Sequence, residues 1–118
     1  MTPKIDKLYS LAYLSEVIGD DTDVLNDLMK IFVDNTPNDL NDLNQAFQAG
    51  DLEKFAALAH KMKSSLATLR IDTLREIMLS IDKPYKAIEI KDQLPGIVAK
   101  INATLEVVFK QIKDDFKL

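Results

Sequence analysis

The sequence predicts an all-α fold, an antiparallel four-helix bundle with an additional short N-terminal helix. Apolar residues recur at spacings of three and four over long stretches, as they do on one face of a helix. The chain contains only 3 Gly in 118 residues, and few of its segments show the alternation of apolar and polar residues typical of strands. A chain of this length fits one domain, so we expect residues 1–118 to form a single domain.

The composition excludes several kinds of site. With no Cys and one His, the chain lacks disulfides, thiolate metal sites, a cysteine nucleophile and multi-histidine metal sites. No apolar run approaches the roughly 18–20 residues that span a bilayer. Residues 1–10 lack the apolar core of a signal peptide. The sequence therefore predicts a cytoplasmic domain without membrane association.

Charge is distributed unevenly along the chain. The formal net charge of −4 argues against general binding to nucleic acid. Residues 1–59 carry 4 basic and 11 acidic residues, whereas residues 60–118 carry 11 basic and 8 acidic ones. Between Lys54 and Arg75 there are 5 bases and 1 acid. This local positive field fits an acidic or phosphorylated partner, although a solvated helix face produces the same pattern.

Two helices are predicted in the first third of the chain. The first begins with Ser10 as its N-cap and ends at Gly19. The second helix begins with three carboxylates, those of Asp20, Asp21 and Asp23. Negative side chains are stabilised there by the positive end of the helix dipole. The apolar face of the second helix comprises Val24, Leu25, Leu28, Met29 and Phe32.

Pro37 interrupts this apolar face and predicts a kink or a new first helical turn. The apolar face then resumes and ends at Gly50. Asp51 is the predicted N-cap of the third helix, and Asp72 that of a shorter fourth helix. The apolar face of the third helix comprises Phe55, Leu58, Met62, Leu66 and Leu69.

Residues 82–93, which include Pro84, are interpreted as a connector with a single helical turn. Pro95 then begins a long last helix. The core of the bundle is predicted to include Leu28, Phe32, Phe55, Met62, Ile101 and Val108.

The single His lies within the basic stretch, on the third predicted helix. At about 100° per residue, the apolar face of that helix spans about 80° and marks its core side. His60 falls roughly 160° from the centre of this arc, so it is predicted to face solvent. A lone His is often incidental, but an outward His among small residues leaves room for a partner protein. Its neighbours are Ala56, Ala57, Lys61, Lys63, Ser64 and Ala67.

Residues 59–71 read AHKMKSSLATLRI and resemble the signature of the histidine phosphotransfer (HPt) domain, A-H-x-L-K-G-S-S-x-x-L-G. On this resemblance, His60 is the phosphorylated histidine, and Lys63 and Ser65 match the family's lysine and small polar residue. The upstream order also matches: a short helix, a long helix with a Pro, a Gly-Asp turn and the His helix. The resemblance therefore covers about residues 9–72.

Two positions depart from this signature. Ser64 stands where the family usually has Gly, and its small side chain preserves access to His60. The Ser64 hydroxyl could also hydrogen-bond the imidazole or a phosphoryl group. Arg70 stands where the family usually has Gly at the helix end. Because Arg is costly in a left-handed backbone conformation, we expect the third helix to continue one turn further.

The resemblance implies a phosphorelay intermediate in two-component signal transduction. His60 would accept a phosphoryl group from a receiver-domain aspartate and pass it to another receiver, and Lys63 would pair with phosphoryl oxygens. The partners would be response-regulator receiver domains or a hybrid histidine kinase. The chain itself would be a monomeric phosphocarrier and not an enzyme, with Mg²⁺ on the receiver because no convincing metal site is present here. The expected docking residues are Ala56, Ala57, Lys61, Ser64 and Ala67.

Two other functions remain open on the sequence. One is a phosphate-independent helical adaptor whose HPt motif has degenerated, a reading supported only by Ser64 and Arg70. The other is an enzyme such as a phosphatase, which is disfavoured because no carboxylates or phosphate-binding loop converge on the single His. A histidine kinase is excluded, since the chain is short and lacks a Gly-rich ATP-binding segment.

Overall fold

A computed structural model of the chain describes residues 7–19 and 21–118. The predicted all-α class is confirmed, since 84% of the described residues are helical and none of them lies in a strand. Asp20, which the sequence places at the start of the second helix, lies outside the described residues. The helices are α1 (Ala12–Ile18), α2 (Thr22–Gln48), α3 (Leu52–Thr68), α4 (Asp72–Ile81), α5 (Pro84–Glu89) and α6 (Leu94–Phe116), with a 3₁₀ turn at Lys91–Gln93.

Four of these helices form a closed antiparallel bundle. Helix α3 packs between α2 and α4, and α6 closes the bundle against α2 and α4. The short helix α1 packs on α2, and α5 packs on α3 and α4. The apolar faces meet in one core, as expected for amphipathic helices in a bundle. Its fully buried large side chains include Leu43, Phe55, Met62, Leu66, Leu74, Met78, Ile101 and Leu105.

Five of the six residues predicted for the core are buried, and Leu28 is the exception. Leu28 is half-buried and packs against the core from its edge. Val24, placed on the same apolar face by the sequence, is 39% exposed. Both residues lie in the first part of α2, and α2 packs against the short helix α1. A seven-residue helix covers too little surface to bury the whole apolar face of its neighbour.

Both ends of α3 are fixed by local hydrogen bonds. At its start, the Asp51 carboxylate accepts from the Lys54 N–H over 3.1 Å, which confirms the predicted N-cap. At its end, the Arg70 N–H donates to Ala67 O and the Ile71 N–H donates to Leu66 O. This pair of bonds is a Schellman motif, which requires a left-handed residue at the position that Arg70 occupies.

Arg70 adopts that left-handed conformation, with φ of 53°. The expectation that α3 continues one turn further is therefore wrong, since α3 ends at Thr68. The Arg70 guanidinium lies 5.9 Å from the centre of the Tyr13 ring, and this cation–π contact offsets part of the backbone cost. Arg70 thus makes the turn that a Gly commonly makes.

Two predicted N-caps are wrong by one residue. Helix α1 begins at Ala12 with Leu11 as its N-cap, although Ser10 Oγ still accepts from the Ala12 N–H over 3.2 Å. Helix α4 has Ile71 as its N-cap, and Asp72 already lies in the first turn. The Schellman motif leaves Ile71 as the only residue between Arg70 and α4, so the helix begins before Asp72 can cap it.

Two other predictions for the helices need correction. Pro37 does not start a new helix, because α2 runs through it from Thr22 to Gln48. The predicted connector at 82–93 holds more structure than one turn, namely α5 with Pro84 in its first turn followed by a 3₁₀ turn. The predicted start of the last helix is confirmed, with Pro95 in the first turn of α6.

Candidate functional site

His60 lies on α3 with an exposed side chain, on the side of the helix turned away from the core. The residues that bury α3, among them Phe55, Met62 and Leu66, lie on the opposite side and are almost fully enclosed. A fixed apolar side therefore determines where the imidazole points. The caps at both ends of α3 hold the helix in this register.

Lys63 is a charged neighbour of His60. Its Nζ lies 3.4 Å from His60 Nδ1, as the spacing of three residues on one helix allows. The same ammonium donates a hydrogen bond to Asp82 Oδ2 over 2.9 Å. The Lys63 side chain is 24% exposed, so it is held at the protein surface and is not free in solvent.

Asp82 is a buried carboxylate that binds two ammonium groups. It follows α4, and its side chain is only 5% exposed. One oxygen accepts from Lys63 and the other from Lys86, each over 2.9 Å. Hydrogen bonds from Lys63 and then Lys86 lower the pKa of Asp82 from its ordinary 3.8 to about 2. Asp82 is therefore ionised at neutral pH and holds Lys63 beside His60.

His60 lines one side of an open cleft between α3 and the start of α5. Lys83 and Pro84 form the opposite side, and Asp82 closes it on the flank of Lys63. Ala57, one turn before His60 on α3, and Glu53, two turns before it, complete the lining. The lining includes the ammonium groups of Lys63 and Lys83 and the carboxylates of Glu53 and Asp82. From this open cleft the imidazole can reach an electrophile on a partner.

The predicted docking residues on α3 divide into accessible and inaccessible ones. Ala57 and Ser64 are exposed, and Ala67 is half-buried. Ala56 is completely buried, so its predicted place on the docking surface is wrong. Helix α3 packs against α2, α4 and α5, whereas the prediction from the sequence has α3 bury only one face.

Two further side chains near His60 differ from their predicted arrangement. Among the described residues, no hydrogen bond joins the Ser64 hydroxyl to His60, although the Ser64 carbonyl accepts from Thr68 Oγ1 over 3.0 Å. Lys61 is exposed as predicted, but its Nζ forms a 3.0 Å ion pair with Asp39 of α2. The positive charge of Lys61 is therefore directed towards α2.

The sequence model of the Hpt domain family matches residues 27–111. This match covers well over half of the chain and includes α3 with His60 and the whole of α4 and α5. The chain belongs to the Hpt domain family. Membership implies histidine phosphotransfer in a phosphorelay, in which Hpt domains act as phosphocarriers and not as enzymes. Hpt domains interact with receiver domains and with histidine kinases.

Searches among curated proteins and among solved structures gave no match to this Hpt domain. No helix in the described part of the chain is both long and apolar enough to cross a bilayer. Within residues 7–19 and 21–118, no three His, Asp or Glu side chains come together as a metal-binding group.

Sequence reasoning missed the part of the site that comes from outside α3. Asp82, Lys83 and Lys86 lie in residues 82–93, the segment predicted to be a connector. The spacing of four between Asp82 and Lys86 is a signal for an ion pair on one helical turn. Nothing in the sequence, however, indicates that Asp82 also meets Lys63, because that contact depends on how α4 packs against α3.

Proposed function

We propose that this Hpt domain is a phosphorelay intermediate that carries the phosphoryl group on His60. The observation that carries the proposal is the exposed His60 imidazole in an open cleft, with the Lys63 ammonium 3.4 Å from its Nδ1. A receiver-domain aspartyl phosphate is the donor, and a second receiver is the acceptor. The domain connects two receivers, or a hybrid histidine kinase and a response regulator.

From the Hpt domain, the transfer step needs a nucleophile, correct positioning and a nearby cation. A neutral imidazole nitrogen of His60 attacks the phosphorus of the aspartyl phosphate. The new N–P bond forms as the P–O bond to the receiver aspartate breaks, and the aspartate leaves as a carboxylate. Because the transferring group carries most of its charge on its three oxygens, nearby cations lower the barrier. Lys63 supplies such a cation from this chain.

Transfer in line requires the receiver to approach His60 closely, and the exposed side of α3 allows it. Ala57 and Ser64 are small and exposed beside His60. Further along the same surface, a groove between α2 and α3 contains Ile31, which is 55% exposed, together with Lys61 and Ser65. We infer that the receiver covers this groove, so that it contacts an apolar rim as well as the basic residues.

Mg²⁺ comes with the receiver domain in this proposal, because phosphoryl transfer from an aspartate needs a cation at the leaving oxygen. The Hpt domain then requires no cofactor of its own and acts as a monomer in the cytoplasm. EDTA should therefore stop transfer, whereas it should leave the thermal unfolding of the isolated Hpt domain unchanged.

The test is incubation of the protein with a phosphorylated receiver domain. A phosphohistidine is labile in acid and stable in base, so the label on the Hpt domain should show both properties. A protein that binds receivers but takes no label from any of them would instead be a phosphate-independent adaptor. Of the two departures from the family signature, only Ser64 still favours this second function, because Arg70 keeps the left-handed turn that a Gly makes.

A further inference from the structure

The Lys63 ammonium lies between two groups that can each accept a hydrogen bond from it. Its distance is 2.9 Å to Asp82 Oδ2 and 3.4 Å to His60 Nδ1. The contact with Asp82 is the shorter one and joins opposite charges, so it is the stronger of the two. In the unphosphorylated domain, Lys63 is therefore bound by Asp82 and only adjoins the imidazole.

The carboxylate of Asp82 is fixed more firmly than Lys63. Its side chain is 5% exposed, and its second oxygen is bound by Lys86, which also donates to Leu79 O over 3.0 Å. A buried carboxylate that lost both cations would be strongly destabilised. Lys63 is 24% exposed on a flexible stem, so it can turn towards His60 while Lys86 keeps Asp82 paired.

We propose that Asp82 is a positioning residue that holds Lys63 beside His60 and competes with the phosphoryl group on His60 for the Lys63 ammonium. This inference rests on the proposed function. When the N–P bond forms on His60 and the receiver carboxylate leaves, phosphoryl oxygens with roughly two negative charges come within reach of Lys63. Lys63 can pair with them only by giving up part of its bond to Asp82.

The competition has a direct consequence for a phosphocarrier. A cation that bound the phosphoryl group without competition would stabilise the phosphorylated state and oppose onward transfer. Asp82 weakens this stabilisation, because every phosphoryl group accepted on His60 disturbs the Lys63–Asp82 bond. Asp82 therefore keeps the phosphoryl group on His60 transferable in both directions, while Lys86 prevents an unpaired buried charge.

The test measures the equilibrium between one phosphorylated receiver and the Hpt domain. Asp82→Asn keeps the size of the side chain but removes its charge, so Lys63 becomes free to bind the phosphoryl group. We expect the equilibrium to shift towards phosphorylated His60 by about 3–10-fold, the scale of one partly exposed charge-assisted bond. Lys86→Met leaves Asp82 dependent on Lys63 alone, and it should shift the equilibrium the opposite way by about 2–3-fold.

A double-mutant cycle separates this role from a merely structural one. In a Lys63→Met background, Asp82→Asn should leave the equilibrium unchanged, because no ammonium remains to be shared. If Asp82→Asn does not fold, the opposite shift in Lys86→Met still tests the proposal.

The proposal is overturned if neither variant shifts the equilibrium, or if the Asp82→Asn shift persists without Lys63. If the wild-type protein takes no phosphoryl group from any receiver, the proposed function itself fails. The proposed role of Asp82 is then wrong as well, because it depends on a phosphoryl group on His60. The two failures are therefore distinguished by the labelling of the wild-type protein alone.

Discussion

Lys63 donates a 2.9 Å hydrogen bond to Asp82, which lies 19 positions further along the chain at the C-terminal end of α4. The ammonium beside His60 is thus anchored by the segment that joins α4 to α5. This contact holds the Lys63 side chain, which is 24% exposed, against the protein. It also means that substitutions at Lys63 change the stability of the fold as well as the chemistry at His60.

Lys63→Ala should lower the rate of phosphoryl transfer to His60 by about 10–100-fold, the scale of one lost charged contact. It should also lower the free energy of unfolding by about 1 kcal/mol, because Asp82 keeps only Lys86. Lys61→Ala is the matched control, since its ion pair with Asp39 is exposed. Its unfolding free energy should change by less than about 0.5 kcal/mol. Equal destabilisation in the two variants would mean that the bond between Lys63 and the buried Asp82 does not stabilise the fold more than an exposed ion pair.

Acid unfolding tests the charge state of Asp82. Folding lowers the pKa of this carboxyl from 3.8 to about 2, so the unfolded state binds its proton first as pH falls. Ionised Asp82 contributes about 2 kcal/mol to the free energy of unfolding. This contribution is complete above about pH 4 and is lost as pH falls through about 2. Denaturant titrations of wild type and Asp82→Asn should differ by this amount at pH 6. The difference should nearly vanish at pH 2. A difference in unfolding free energy that stays the same from pH 6 to pH 2 would contradict the lowered pKa of Asp82.

Bulky substitutions on α3 should separate docking from folding. Ser64→Trp places a large side chain on the exposed surface beside His60, so transfer should slow at least about tenfold while the unfolding curve stays unchanged. Ala56→Leu overpacks a fully buried position and should lower the unfolding free energy by about 1–3 kcal/mol. Ala103→Trp, on an exposed position of α6 outside the cleft, is the control and should transfer normally. Normal transfer by Ser64→Trp would mean that the receiver docks elsewhere.

Gly50 and Gly96 should respond to alanine in opposite ways. Gly50 has a φ of 72° in the turn before the His helix, where a side chain is strained, so Gly50→Ala should lower the unfolding free energy by about 1 kcal/mol. Gly96 lies in the first turn of α6 with open space around it, so Gly96→Ala should raise the free energy by about 0.5 kcal/mol. Thermal unfolding measures both effects. A stabilising Gly50→Ala would show that the left-handed turn is not required.

The features of the site that depend on one helix could be predicted from the sequence. The apolar period places Phe55 and Met62 inside and His60 outside, and the spacing of three brings Lys63 next to His60. The features that depend on packing between helices could not be predicted from the sequence. Ala56 lies outside the apolar face predicted for α3 but is buried, since α3 packs against α2, α4 and α5 and not against a single neighbour.

The end of α3 at the left-handed Arg70 is also decided by packing between helices. Its intrinsic cost predicts a longer α3, but the paired hydrogen bonds of the Schellman motif and the contact with Tyr13 outweigh that cost. A cost of about 1–2 kcal/mol for one residue is small beside the burial of Leu69 and Ile71 on either side of the turn. Tertiary packing therefore decides where the His helix ends.

Labelling of His60 tests the proposed function most directly. Wild type and His60→Gln are incubated with a phosphorylated receiver domain and Mg²⁺, and the label on each is followed in acid and in base. Wild type should take up label that is lost in acid and retained in base, whereas His60→Gln should take up none. Because His60 is exposed, both proteins should have the same circular dichroism spectrum and unfolding midpoint. Label on His60→Gln, or none on wild type from every receiver tested, would contradict the assignment of His60 as the phosphoacceptor.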